Sequence, residues 1–437
     1  MLATAILAGD AALDPICARI ADTLGQDWRW VRPLIRRYLA VYADRTRPSH
    51  REVVAFLQQD EGFRHACDKH RDNIRVVNWL AAAPSMQPVE TAAEWNIPAI
   101  ETADDLAIRL RLSPSELAWF ADLKTLGRKP STSPQLQHYH YRIAAKKSGT
   151  VRLIESPKQL LKKMQRQILA EILDRVPAHA AVHGFVKARS IKTFAAPHAG
   201  QGVVLRLDLK DFFPSIRRAR IQSVFRTLGY PQTVADLLGG LCTNAAPGAV
   251  FRAMPSDLWA EMRRLYEQTH LPQGAPTSPA LANICAYRMD CRLAGLALAA
   301  GGVYTRYADD LAFSGTSAFE RGVERFATHV AAIAQEEGFA VNHRKTRIMR
   351  HGVRQHLAGL VVNRKINVPR VEFDHLKATL TNCVRNGPAN ENRENIPHFR
   401  AHLQGRVAFV AMIQPERAVK LRRLFDSIEW YPKISAN

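Results

Sequence analysis

Two adjacent aspartates at a predicted β-turn constrain this chain more than any other feature. Asp309 and Asp310 lie between two short runs rich in strand-forming residues, and Gly302 and Gly315 bound the whole segment. This pattern predicts a β-hairpin with both acids at its tip. Because adjacent carboxylates repel each other, they are tolerated most easily where a cation lies between them and a third acid.

A third acid, Asp208, lies about a hundred residues upstream. Residues 203–209 alternate in the manner of a strand, and Pro214 stops the pairing soon afterwards. We therefore expect Asp208 to lie beside Asp309 and Asp310. A site of three carboxylates suits two Mg²⁺ ions about 4 Å apart, with Mn²⁺ as a substitute, as in polymerases and nucleases.

Each acid has a simpler explanation when it is taken alone. An Asp-Asp pair in a turn usually reflects turn chemistry and solvated charge, and a single Asp at a strand end usually makes a local hydrogen bond. The metal-site interpretation gains weight because further motifs accompany the acids in a consistent order.

Four segments resemble, in order and spacing, the catalytic motifs of reverse transcriptases. They are the first catalytic motif at Arg206–Ile216, the template-and-nucleotide motif at Leu271–Pro279, the metal-binding hairpin at Tyr304–Leu311, and the following basic motif at Gly338–Thr346. The resemblance covers roughly residues 100 to 430 and implies an RNA-directed DNA polymerase.

The chain is similar in particular to bacterial retron reverse transcriptases. It shares short sequence motifs with them at His183–Val186, which precedes a basic stretch, at Asp211–Ser215 and at Tyr304–Asp310. Cys242–Asn244 and the long N-terminal part resemble the myxobacterial-type retron enzymes. Retron enzymes often carry Asn-Ala-x-x-His before the first catalytic strand, whereas this chain keeps His198 but has Phe194 in place of the Asn.

The resemblance implies an α+β fold, a right-hand polymerase with fingers, a palm with an antiparallel sheet, and a helical thumb. A chain of 437 residues is also too long for one compact domain. The expected parts are a helical N-terminal extension over 1–95, a small helical subdomain over 96–135, fingers over 136–200, a palm with a fingers insertion over 201–350, and a connection hairpin with the thumb over 351–437.

Apolar spacing within these parts predicts individual helices. Leu160, Leu161, Met164 and Ile168 recur at helical spacing and predict a helix with an apolar core face. In the expected thumb, helices are predicted over 373–383, 396–413 and 417–428.

In similar enzymes, basic residues of a fingers hairpin hold the incoming triphosphate. Lys147 and Arg152 are the candidates here, and solvated hairpin charge is the equal alternative. Phe213, five residues after Asp208, matches an aromatic ring that blocks a ribose 2′-hydroxyl and so favours dNTPs; the alternative is that it belongs to the core.

Two further segments supply candidates. Gln273 and Gly274 would let the backbone approach the template and the nucleotide, because Gly has no side chain to obstruct it. Lys345, at the basic position of its motif, is a candidate proton donor to the leaving pyrophosphate and equally a candidate phosphate anchor.

The charge distribution favours a polyanionic partner. The formal net charge is +21 and the pI is about 10.1. Residues 141–200 contribute +9, and residues 351–437 contribute +7, so the excess charge flanks the acidic motifs in sequence. The alternative is a generally basic surface, but this clustering favours a nucleic-acid cleft.

A retron enzyme implies a dedicated structured non-coding RNA that serves as template and primer. DNA synthesis would start from an internal 2′-hydroxyl, consume dNTPs and leave a branched RNA–DNA product. The resemblance further implies a role in antiphage defence with an effector protein. The alternatives are another bacterial reverse transcriptase, of the group II intron, diversity-generating or stand-alone defence type, and an inactive RNA-binding scaffold.

Cysteine usage and hydropathy indicate the compartment. The six cysteines are scattered and form no Cys-x-x-Cys pair, which argues against structural zinc and indicates a reducing cytoplasm. The N-terminus does not have the pattern of a signal peptide, and no run of eighteen apolar residues predicts a membrane partner.

Overall fold

A computed structural model of the chain describes residues 1–9, 11–42, 48–71, 73–78, 85–128, 133, 136–145, 151–252 and 256–430, with residues 256–259 and 261 described by their backbone alone. None of the helices in these ranges is both long and apolar enough to cross a membrane.

The α-helices are α1 (Leu2–Leu7), α2 (Leu13–Leu24), α3 (Val31–Tyr42), α4 (His50–Gln59), α5 (Glu61–Lys69), α6 (Glu90–Ala93), α7 (Ala103–Leu110), α8 (Pro114–Ala121), α9 (Gln159–Glu171), α10 (Ile191–Ala195), α11 (Phe212–Ser215), α12 (Arg218–Thr227), α13 (Gln232–Cys242), α14 (Gly248–Phe251), α15 (Ser256–Tyr266), α16 (Ser278–Cys285), α17 (Tyr287–Ala299), α18 (Ser317–Glu320), α19 (Val323–Glu336), α20 (Arg370–Asn386), α21 (Pro388–Glu391), α22 (Phe399–Ile413) and α23 (Pro415–Asp426).

The strands are β1 (Tyr139–Ala145), β2 (Val151–Pro157), β3 (Val203–Lys210), β4 (Gly302–Tyr307), β5 (Asp310–Gly315), β6 (Ala340–Val341), β7 (Arg347–Arg350), β8 (His356–Leu357) and β9 (Leu360–Val361). Short 3-10 turns occupy Leu126–Arg128, Leu173–Arg175, Ala196–His198 and His343–Lys345. The mixture of helices with antiparallel sheets agrees with the α+β class.

The chain divides into two compact units. Unit 1 comprises Met1–Pro177 and Asp211–Ala286, and unit 2 comprises Ala178–Lys210 and everything from Tyr287 onward. The five predicted parts do not coincide with this division, because the expected fingers (136–200) and palm (201–350) each include residues of both units, and their boundaries stay predictions.

Unit 1 holds a helical N-terminal core and, further along, the β1–β2 hairpin. Buried residues of α1 to α4, among them Ile16, Ile20 and Leu34, form the N-terminal core. The chain between β1 and β2 is outside the described residues, but the two strands pair antiparallel along their whole length, from Tyr139 opposite Pro157 to Ala145 opposite Val151.

The helix predicted after that hairpin is present as α9, with one correction. Leu161, Met164 and Ile168 are buried as expected. Leu160, however, is 65% exposed, so its place on the core face was wrong. Gln165 lies on that face instead, and its amide is bonded to the Tyr139 hydroxyl and the Leu241 carbonyl at 3.0 and 2.8 Å. These two acceptors satisfy the buried NH2 group of the amide.

Unit 2 is built on an antiparallel sheet in the order β4-β5-β3-β6, with β7 also paired to β3. β3 is central, and most of its residues are buried because it has neighbours on both edges and packing on both faces. The three helices predicted after residue 370 are present as α20, α22 and α23, and they share one apolar core with Val204 and Ala312 of the sheet.

Candidate active site

The predicted hairpin is confirmed as β4 and β5, joined by the two-residue turn Ala308-Asp309. The last pair of the ladder joins Tyr307 to Asp310. Ala308 has φ +57° at the first turn position, which is the sign that a type II′ turn requires there. Asp309 therefore lies at the tip, and Asp310 is the first residue of the return strand.

The strand that carries the third acid pairs directly with this hairpin. In the antiparallel register of β3 and β5, Asp208 lies opposite Asp310. The Leu209 N–H donates to the Asp309 carbonyl at 2.8 Å, and this bond extends the contact to the turn. The structure thus brings together the three acids that the sequence motifs single out, all within unit 2.

Burial and mutual repulsion govern the electrostatics of the two hairpin acids. Burial raises the pKa of Asp309, and the neighbouring charges of Asp208 and Asp310 raise it further. Burial also raises the pKa of Asp310, although the Arg206 guanidinium opposes that shift. Both carboxylates are therefore disfavoured as anions unless a positive charge stabilises them.

Two cationic side chains lie on the outer acids. Lys345 Nζ is 2.9 Å from each carboxylate oxygen of Asp208, and its side chain is 50% exposed. Arg206 Nη2 donates to both Asp310 oxygens, at 2.7 and 2.9 Å, and Nε donates to Oδ1 at 3.0 Å. In the described part of the chain, no side chain donates to the Asp309 carboxylate, whose own backbone N–H lowers its pKa slightly.

The donor set fits a divalent ion, although it is not arranged as a finished metal site. Across the described ranges, no group of three or more His, Cys, Asp and Glu side chains is placed as ligands of one ion. Carboxylate oxygens are nevertheless the ligands that Mg²⁺ prefers. The charge of Asp208 also raises the pKa of Asp309 and of Asp310, and a bound cation would relieve that repulsion.

Two buried groups at the hairpin received no role from the sequence, although His198 was noted there as the retained histidine of a retron motif. Arg306 of β4 is fully buried and forms an ion pair with Asp290 of α17, which is also fully buried. His198 is fully buried between Ser314 Oγ (2.6 Å) and Thr305 Oγ1 (2.7 Å). The usable signal was strand alternation, since it places Arg306 on the same face of β4 as the buried Tyr304.

The remaining candidates in the described chain belong to unit 1. Arg152 lies on β2 and is half-buried. Phe213 lies in α11, is half-buried, and packs edge-to-face on the buried Phe212 with ring centroids 5.5 Å apart. Lys147 lies outside the described residues.

Gln273 and Gly274 form a tight contact with β2. The Glu155 N–H donates to the Gln273 carbonyl at 2.9 Å. Gly274 has φ +131°, and a Cβ there would lie 2.8 Å from the Glu155 carbonyl oxygen. Gly274 is therefore required by both backbone conformation and close approach. Its position joins the template-and-nucleotide motif to the strand that carries Arg152.

A buried polar network supports this contact, and sequence reasoning missed it. Glu155 and His270 are fully buried, with Oε2 and Nε2 2.7 Å apart. Asn244 Nδ2 donates to Glu155 Oε1 at 2.7 Å and to the Tyr141 hydroxyl at 3.1 Å. His270 Nδ1 lies 2.7 Å from the Gln268 carbonyl. Both carboxylate oxygens of Glu155 are therefore satisfied by neighbouring side chains.

Comparison with known proteins agrees with the resemblance of the sequence motifs to those of reverse transcriptases. The family described as reverse transcriptase (RNA-dependent DNA polymerase) matches residues 144–376. The Retron Mx65 reverse transcriptase of Myxococcus xanthus is 40% identical over 338 residues, which cover 76% of this chain and 73% of that protein.

Two further relatives extend the comparison. The Retron Mx162 reverse transcriptase of Myxococcus xanthus is 38% identical over 73% of this chain, and the match spans 65% of that longer protein. The Retron Ec86 reverse transcriptase of Escherichia coli is 32% identical over 55% of this chain and 69% of its own length. The expected resemblance to myxobacterial-type enzymes is confirmed by the first two relatives.

These matches cover most of the chain and include the catalytic motifs. A reverse transcriptase domain implies the right-hand polymerase fold, and enzymes of this family use divalent metal ions and an RNA template. The chain belongs to the reverse transcriptases, and within them it is a retron RNA-directed DNA polymerase.

Proposed function

We propose that this retron polymerase copies a structured non-coding RNA into single-stranded DNA by two-metal nucleotidyl transfer on Asp208, Asp309 and Asp310. The observation that carries the proposal is the register of β3 against β5, which sets Asp208 opposite Asp310 beside the Asp309 turn. The raised pKa values of Asp309 and Asp310 also support it, because acids that repel one another in a partly buried place favour a bound cation.

Each residue has a distinct part in the proposed chemistry. Mg²⁺ ions held by the three carboxylates, with Mn²⁺ as a substitute, would activate the attacking hydroxyl and stabilise the charge of the transferring phosphate. Asp309 offers a carboxylate to which no described side chain donates. Lys345 holds Asp208 by two contacts and, with its half-exposed ammonium, is suited to meet the leaving pyrophosphate as proton donor or anchor.

The unit 1 candidates are proposed to handle the incoming dNTP. Arg152, together with Lys147, would hold the triphosphate, and Phe213 would exclude a ribose 2′-hydroxyl. The peptide at Gln273 and Gly274 would approach the base pair closely. Support comes from the bond that ties the Gln273 carbonyl to β2 and from the steric need for glycine at position 274.

We also propose that the RNA is both template and primer, that DNA synthesis starts from its internal 2′-hydroxyl, and that the product is branched RNA–DNA. An effector protein and a cytoplasmic role in antiphage defence complete the proposal. The relatives named as retron enzymes support these assignments, and the basic segments 141–200 and 351–437 suit an RNA partner.

The test of the chemistry is primer extension on an RNA template with Mg²⁺. Wild type should incorporate dNTPs, and Asp309→Asn should not, while the exposed Asp14→Asn is the matched control for the same chemical change. Retained incorporation by a folded Asp309→Asn variant would contradict the two-metal assignment.

Sequencing of nucleic acid that co-purifies with the protein tests the proposed RNA partner. A defined RNA joined to DNA through a 2′ linkage is the expected product.

A further inference from the structure

We infer that Arg306 is a positioning residue that fixes the Ala308–Asp309 peptide and thereby aims the Asp309 carboxylate. This inference rests on the proposed role of Asp309 in holding a divalent ion. It adds a residue that touches neither metal nor substrate, and it assigns a purpose to the largest fully buried side chain of the described chain.

The guanidinium of Arg306 is held rigidly on one side by Asp290. Nε donates to Oδ1 at 2.8 Å, and Nη2 donates to Oδ2 at 2.6 Å. The Tyr304 hydroxyl donates to Oδ1 as well, at 2.7 Å. This fork fixes both the place and the plane of the guanidinium, because a bidentate pair leaves it little rotational freedom.

The third nitrogen of the same group points at the catalytic turn. Nη1 donates to the Ala308 carbonyl at 3.1 Å. That carbonyl belongs to the first turn position, which the strand ladder does not satisfy. The peptide plane between Ala308 and Asp309 is therefore set by a buried cation.

Asp309 is thus fixed on both sides of its Cα atom. Its own carbonyl accepts from the Leu209 N–H at 2.8 Å, and the preceding carbonyl accepts from Arg306. With both flanking peptides held, the direction of the Cα–Cβ bond is determined. Only side-chain rotation remains for aiming the carboxylate.

The backbone around Arg306 is held as well. Its N–H donates to the Ala181 carbonyl, and its carbonyl accepts from the His183 N–H, both at 2.7 Å. A Cβ on Gly184 would lie 2.5 Å from the Ala308 nitrogen, so the segment after His183 lies directly against the turn. Arg306 is consequently fixed along its whole length before it meets the turn.

Stability alone does not account for this arrangement. A buried ion pair replaced by apolar residues of similar volume is often neutral or stabilising, because desolvation offsets the Coulomb attraction. Apolar side chains could fill the same space, but they could not donate to the Ala308 carbonyl. The guanidinium supplies the turn with a donor that packing cannot replace.

The deciding variant is Arg306→Lys, which keeps the charge but loses the three-way donor geometry. We expect kcat for dNTP incorporation to fall about 10²-fold, since a small misplacement of a catalytic group has effects of that order. The KM for the dNTP should stay within about threefold of wild type. Mn²⁺ binding, measured by electron paramagnetic resonance without substrate, should weaken in parallel with kcat.

Arg292→Lys is the matched control, because Arg292 lies on α17 with Asp290 but pairs with Glu337 at 2.8 Å and not with the turn. It should leave kcat and Mn²⁺ binding unchanged. The double variant Arg306→Met with Asp290→Leu separates positioning from folding. It should still fold, with a thermal unfolding midpoint lowered because the Tyr304 hydroxyl and the Ala308 carbonyl lose their partners, while kcat remains low at temperatures well below that midpoint.

Normal kcat and Mn²⁺ binding in either folded variant would overturn the inference. If the double variant does not fold, Arg306→Lys decides alone. A lowered unfolding midpoint in that variant, together with Mn²⁺ binding that returns to the wild-type value well below that midpoint, would likewise point to a purely structural role. Asp309→Asn separates failure of the proposed function from failure of this inference. If Asp309→Asn retains activity, the proposed function is contradicted. If Asp309→Asn loses activity while Arg306→Lys is normal, only the inference about Arg306 is contradicted.

Discussion

Two carboxylates, the fully buried Glu155 in unit 1 and the half-buried Asp309 in unit 2, are surrounded by opposite kinds of neighbour. Glu155 accepts from Asn244 Nδ2 and contacts His270 Nε2, each at 2.7 Å. Asp309 is flanked by the charges of Asp208 and Asp310, and both raise its pKa.

The difference separates a carboxylate whose partners are already present from one suited to hold a cation. A buried polar group whose partners are all present stabilises one conformation and has no capacity left for a ligand. An acid surrounded by like charges is stabilised only when a cation arrives. We therefore expect substitutions near Glu155 to change the free energy of unfolding, and substitutions near Asp309 to change catalysis.

The largest effect should follow Asp208→Asn. Removing this charge takes one of three ligands from the proposed metal site, and metal stabilisation of the transition state amounts to several kcal/mol, so incorporation should fall at least about 10³-fold. The free energy of unfolding should change little, because the ion pair with Lys345 that the variant loses is half-exposed on the lysine side. Primer extension and thermal unfolding on the same preparation measure both. Activity near wild type would end the distinction between the two carboxylates.

Lys345→Ala should have the next largest effect, about a 10²-fold fall in incorporation, because a positioned general acid contributes 10²-fold or more. The two assigned roles give different kinetics. A proton donor affects kcat, whereas a phosphate anchor mainly raises the KM for the dNTP. Lys345→Arg is the control that keeps the charge, and it should restore binding but not proton donation. Unchanged kcat and KM in the alanine variant would exclude both roles.

How much of the site the sequence predicts depends on the range of the interaction. Strand alternation and glycine boundaries are local, so they predicted β3, the β4–β5 hairpin and the place of Asp309 at its tip. Arg206 and Asp208 are two positions apart on β3, so the same alternation places both side chains on one face of the strand. The pairing of Arg206 with Asp310 could then have been expected as a diagonal cross-strand contact, once the register was known.

Hydrogen-bond and ion-pair partners that meet only through tertiary packing could not be predicted from the sequence. Strand alternation places Arg306 on the face of β4 that carries Tyr304, but nothing local in the sequence indicates that Asp290, on a different element, will be buried beside it. Glu155 and His270 are 115 residues apart and meet only in the fold. Leu160 is an error of the opposite kind, because helical spacing assigned an exposed residue to the buried face of α9. Gln165 is buried on that face instead, where its NH2 group has hydrogen-bond acceptors.

Glu155→Gln should destabilise the protein and leave catalysis by folded molecules nearly intact. Glutamine presents an amide where Asn244 and His270 both meet a carboxylate, so charge-assisted hydrogen bonds become neutral ones at a cost of about 1–3 kcal/mol. Denaturant unfolding measures this loss, and Glu267→Gln at a surface pair with Arg263 is the control, expected to cost less than about 1 kcal/mol. A fall in kcat without a loss of stability would reverse the assignment of the two carboxylates.

The smallest effect concerns His198, whose ring nitrogens both have partners on β4 and β5, the hairpin that carries Asp309 and Asp310. The Thr305 hydroxyl donates to the Phe194 carbonyl at 3.0 Å, so it accepts from Nε2–H, and Nδ1 is left to accept from Ser314. The imidazole is therefore neutral, and burial lowers its pKa from 6.5 to about 3.

Because the unfolded chain binds a proton that folded His198 excludes, the stability contribution is complete above pH 6.5 and is lost as the pH falls from there toward 3. From pH 7.5 to 5.5 the loss from this residue should be about 1 kcal/mol. His198→Gln should remove that part of the slope, while the part from His183, whose pKa burial also lowers, should remain. Exposed His329→Gln is the matched control. If the slope persists unchanged in His198→Gln, His198 is not neutral in the fold. Its hydrogen bonds to Ser314 and Thr305 would then not be those of a satisfied neutral imidazole, and the parallel with the satisfied Glu155 would fail.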